Sequence, residues 1–164
     1  MSTLDFFGLW VHLLALVAYG GSTLALLIVV LPAANAQGHP LRHSFLAQAL
    51  RFYDPLAIAT LGVVVMTGAF NLTRYKDALR GRFFSEVGWL LAWKLGFAFL
   101  VIMVGTYIAF GLGHRIVRAE MSGEPYEPEQ LDSMARRLAY ACVLNIVLLS
   151  ITTWIGLEFG HGRD

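Results

Sequence analysis

With Cys142 as its one cysteine, the 164-residue chain has no disulfide framework available, and a lone thiol in an apolar run reads as a small core residue. Charge is equally scarce. Only 14% of the residues are charged and the net charge is +1, which leaves no basic face for a nucleic acid. There is no dinucleotide-binding glycine fingerprint, no low-complexity tract and no repeat. The first apolar stretch, residues 6–31, follows Asp5 rather than a basic segment and shows no A-x-A pattern before Pro32, so it reads as a retained span and not a cleaved leader.

What is present is hydrocarbon. Hydrophobic residues make up 57% of the chain and the mean hydropathy is +0.64, far above a water-soluble composition. Runs at 6–31, 55–72, 87–112 and 138–157 predict four membrane-spanning helices, hence an all-α integral membrane four-helix bundle in a single domain covering residues 1–164. Between the first two runs, Pro40 suits the first turn of a short amphipathic helix that would lay Leu41, Phe45, Leu46, Ala49 and Leu50 along the bilayer surface. Pro128 similarly starts a helix that runs through Arg136 and Arg137 into the last span. Met66 and Met103 read as core filling, since no M-x-x-M or C-x-C pattern accompanies them.

Four spans place both ends of the chain and the second loop at one end of the bundle, and the first and third loops at the other. We call these the termini end and the loop end. Lys94 lies ~10 Å inside the third span from the termini end, and His12 lies ~9 Å inside the first, so the two share a depth. Asn71 and Arg74 close the second span at that end, and Thr152, Thr153, Trp154 and Glu158 close the fourth. All four tryptophans, Trp10, Trp89, Trp93 and Trp154, fall there too.

Three physical readings fit this convergence. A haem b site needs an imidazole for iron, an apolar slot for the macrocycle and cations for the propionates; His12, the small residues of the bundle, and Lys94 with Arg74 could supply them. A polar pathway would use His12 and Lys94 to relay protons or hold an ion. An interfacial girdle with a snorkelling lysine and a satisfied histidine needs no ligand at all.

A second group sits at the loop end, where His39 and His43 have i, i+4 spacing and His114 follows the third span; imidazoles so placed could bind copper, or could simply be exposed loop residues. His114 cannot join a site with His12 or Lys94, because the two groups occupy opposite leaflets.

Trp10-x-His12, the small residues after Tyr19, Arg51-Phe52 leading to Thr67-Gly68, Gly88 followed six residues later by Lys94-Leu95, the basic exit of the third span and Asn145 together resemble two related groups. These are the haem-associated protoporphyrinogen oxidases of the HemJ type and the CopD-like copper-resistance membrane domains. The resemblance implies His12 and Lys94 as the functional pair. The expected function is then a haem b redox protein that transfers electrons or oxidises a hydrophobic substrate such as a quinol or porphyrinogen. Lys94 would hold a propionate, support the ligand or, as a neutral amine, ligate iron. The alternatives are a copper transport or resistance protein and an accessory subunit of a larger membrane complex. Expected partners are the lipid bilayer, a quinone or porphyrin, and further copies or subunits. Arginine and lysine numbers tilt toward a bacterial inner membrane with the first and third loops cytoplasmic: six (Arg42, Arg51, Arg115, Arg118, Arg136, Arg137) against five (Arg74, Lys76, Arg80, Arg82, Arg163).

Overall fold

The computed structural model describes residues 3–79, 83–124 and 126–161, with side chains placed for 3, 6–38, 41–73, 88–124 and 126–157. Four helical rods run alternately up and down. The first comprises α1 (Thr3–Ala25), a π-helical turn Leu26–Val30 and α2 (Leu31–Asn35); the second is the single helix α3 (His39–Leu79). The third comprises α4 (Phe83–Thr106), a π-helical segment Tyr107–Gly113 and α5 (His114–Ser122); the fourth is α6 (Pro128–His161). Four helices are long and apolar enough to cross a membrane: Phe6–Asn35, Leu41–Thr73, Gly88–Ser122 and Pro128–Leu157. Large apolar side chains such as Phe7, Val17, Ile28, Phe52 and Phe70 face outward, as lipid as the outer solvent requires. The chain is an integral membrane four-helix bundle.

The amphipathic segment after Pro40 does not lie along the bilayer surface. It is the first half of α3, where Leu46 and Leu50 are fully buried, so the second span begins well before residue 55. Pro55 sits inside that helix and neither starts nor ends it. Proline removes one backbone hydrogen bond, a loss that packing against neighbouring helices offsets. Pro32 likewise opens α2 and leaves the first rod unbroken to Asn35. Forty-one residues at 1.5 Å each give α3 about 60 Å, roughly twice the hydrocarbon thickness. At the loop end α3 packs against α5 and reaches α6 through the ion pair of Arg42 with Asp132.

That end holds the core. Leu46, Leu50, Ile116, Leu131 and Leu138 have no exposed surface, and α5 stops at Gly123, whose φ of 72° lets its N–H and that of Glu124 return to the Glu120 and Ala119 carbonyls at 3.2 Å. The termini end is built differently. Among the described residues none between 6 and 14, 58 and 73, 88 and 100, or 149 and 157 is buried. There α1 packs chiefly on α3 and α4 on α6, while contact between the two pairs is slight. The bundle is closed at the loop end and open at the termini end. Met66 and Met103 do not fill the core; both are more than half exposed to lipid.

Candidate functional site

His12 lies in the open half, part-buried against α3. Its Nδ1 is 2.8 Å from Thr67 Oγ1, and that hydroxyl donates its own hydrogen to the Val63 carbonyl at 2.6 Å. With that one hydrogen spent on the carbonyl, His12 Nδ1 takes the donor role in the first contact. Nε2 is therefore left with its lone pair. Gly68 makes room for the ring: a Cβ there would stand 3.5 Å from His12 Cε1.

Lys94 sits at the same depth on α4 and within electrostatic reach of His12. Its Nζ lies over Gly156 of α6, 3.2 Å from where a Cβ would stand. Asn71 packs in the same way on Gly8, its Oδ1 3.7 Å from a Cβ position. Three polar side chains in one leaflet thus each rest on a glycine of the paired helix, which allows close approach to that helix's backbone. Trp154 faces outward beside a hollow of about 300 Å³ that it lines with Leu149, Ser150, Thr153 and Leu157. Arg74 belongs to α3, but its side chain lies outside the described residues. The structure therefore brings His12, Lys94 and Asn71 to one end of the bundle and sets Trp154 at its outer wall.

A polar layer in the middle of the bundle is the part least visible in the sequence. Asn145 Nδ2 donates to Tyr19 Oη at 2.6 Å, with both side chains almost fully buried. One turn away, Thr23 Oγ1 donates to the Tyr19 carbonyl at 2.9 Å, so the 3.1 Å contact between Thr23 and Tyr53 is a bond from the tyrosine hydroxyl. Asp54, next to Tyr53, lies on buried Gly113. Asp54 escapes a sequence reading because it directly precedes Pro55, which looks like the start of a span and so places the acid outside it. Its signal is an acid that opens directly onto the long apolar run 55–70.

Of the loop-end histidines, the structure describes the side chains of His43 and His114. His43 is buried, not an exposed loop residue, and its Nδ1 donates to Glu120 Oε2 at 2.6 Å while Ser44 donates to Oε1 and Tyr126 lies 6.1 Å from the imidazole, centroid to centroid. His114 is exposed, and the His39 side chain lies outside the described residues. Among the described residues no three His, Cys, Asp or Glu side chains group closely enough to hold a metal ion. The His43 contact is structural, and a substitution gauges it. Glu120→Ala strands a buried imidazole and should cost about 1–3 kcal/mol of stability, read as a lowered melting temperature in detergent, whereas Glu120→Gln keeps an acceptor and should cost less. Equal melting temperatures for wild type and Glu120→Ala would show that the contact holds nothing together.

No protein-family model, curated protein or solved structure matches the chain.

Proposed function

We propose that the chain is a haem b-binding membrane redox protein, with the cofactor in the open half of the bundle. The observation that carries this reading is the state of His12: Nδ1–H is committed to Thr67, whose hydroxyl is itself committed, so Nε2 presents a lone pair at bilayer depth. A metal-binding imidazole is ordinarily fixed in this manner, through a hydrogen bond from its other nitrogen. The surroundings suit a large flat apolar group. No described residue at that end is buried, and the glycines at 68 and 156 keep the helix surfaces low beside His12 and Lys94.

In this reading His12 holds the iron, and Lys94 stands across the gap as a cation for a propionate or for the site's charge. Asn71 offers an amide at the same level. Haem supplies one-electron chemistry; the protein supplies the ligand, the apolar surroundings and access from the bilayer for a quinol or porphyrinogen. The loop-end arginines would then face the cytoplasm of a bacterial cell.

One observation favours a second reading. The same open half would be covered equally well by helices of another subunit, which makes the chain an accessory or oligomeric component. A visible spectrum of the protein purified in mild detergent from haem-replete cells, oxidised and then reduced with dithionite, separates the two. A b-type spectrum with one haem per chain by pyridine haemochrome is the expected result. A colourless protein would sink the haem reading.

A further inference from the structure

Asp54 serves none of the roles above, yet it is held with care inside a helix that crosses the bilayer. Its carboxyl lies flat on the backbone of the third rod, for a Cβ on Gly113 would stand 2.5 Å from Oδ1 and 2.7 Å from Oδ2. Oδ1 is buried and has no hydrogen-bond partner. The contacts around it are not cationic. Tyr53 adjoins it on α3, Thr23 approaches Tyr53 from α1, and Cys142 on α6 and Tyr19 on α1 are in electrostatic reach of Tyr53; none of these carries a positive charge. Among the described residues the ion pairs are Arg42 with Asp132 and His43 with Glu120, and neither involves Asp54.

An acid in such surroundings can be neutralised by a cation, by a metal ion or by a proton. No cation is paired with it, and no second carboxylate, histidine or thiolate joins it in a metal-holding group among the described residues. We propose that Asp54 is a proton-binding site within the bilayer, carrying its proton against Gly113 and exchanging it with the loop-end face. The position suits exchange, because the side chain is only part-buried and Gly113 is followed directly by exposed His114 and Arg115. The π-helical segment Tyr107–Gly113 ends at this glycine, and such segments collect at functional sites because they displace side chains from regular helical positions. The inference stands on Asp54 and its surroundings alone and does not require haem.

Dicyclohexylcarbodiimide tests it, since that reagent adds to protonated carboxyl groups in apolar surroundings. The full-length protein in liposomes is treated across a range of pH, and adducts are located by peptide mass spectrometry. An adduct on Asp54 that forms more slowly as the pH rises, and is lost in an Asp54→Asn protein that elutes like wild type, is the expected result. An unmodified Asp54 in folded wild type, or labelling at one rate across the pH range, would overturn the proposal. So would suppression of labelling by sodium or potassium at fixed pH, which would make this a metal-cation site.

Discussion

His12→Ala should abolish the b-type spectrum while the protein remains folded. The two halves of that expectation come from different features. Loss of haem follows because the imidazole, with Nδ1 turned to Thr67, presents its other nitrogen to the ligand. Retention of the fold follows because His12 contributes to no buried core, and its hydrogen bond to Thr67 is worth roughly 0.6–1.7 kcal/mol by the measure of polar contacts in membrane bundles. A graded companion is Thr67→Val, which keeps the ligand and removes its orienting partner. Haem should still bind, with affinity lower by about 10–100-fold. If the His12→Ala protein carries haem with an unaltered spectrum, His12 is not the ligand. Should both variants bind equally weakly, the imidazole serves only when the Thr67 hydroxyl holds it.

Gly105→Val should be the most destabilising of the single glycine substitutions. Gly105 is buried where α4 crosses the bond between Tyr19 and Asn145; a Cβ there would collide with Tyr19 Oη and stand 3.4 Å from Leu61 Cδ2 and 3.5 Å from Asn145 Nδ2. Tyr19 and Asn145 are each about 1% exposed, so neither can swing into empty space. Overpacking of this kind costs about 1–3 kcal/mol. Breaking the 2.6 Å hydrogen bond adds up to about 1.7 kcal/mol in a bilayer setting. A fall in melting temperature in detergent reads the sum. Tyr19→Phe removes the atom that collides, so Gly105→Ala combined with Tyr19→Phe should be less destabilised than the separate losses imply. Strict additivity of the two would mean that Gly105 is small for some reason other than the Tyr19 hydroxyl.

The open termini end and the closed loop end also divide the labour. The loop end, with its buried leucines and its Glu120 and Arg42 contacts, holds the rods in register, and the polar layer at Tyr19, Thr23, Tyr53 and Asn145 pins them at mid-height. Below that layer little packing opposes separation of the two helix pairs. A ligand or partner that binds there need displace no buried residue among those described.

Sequence alone determined that this is a four-span α-helical membrane bundle, and it determined depth: counting residues along a helix at a fixed rise places His12 and Lys94 in one leaflet and His43 and His114 in the other. It did not determine rotation. A soluble helix announces its inner face by an apolar stripe, but here the lipid outside is as apolar as the interior, so an inward Leu50 and an outward Met66 read alike. For the same reason proline was misleading punctuation: Pro55 suggested a helix start, while packing carried α3 through it and drew Asp54, Leu46 and Leu50 into the bundle. The partner of each polar side chain is likewise a matter of azimuth. Only the tertiary structure decided that His12 turns to Thr67, that Lys94 turns to Gly156 and that His43 turns to Glu120, because each choice depends on which helix lies alongside.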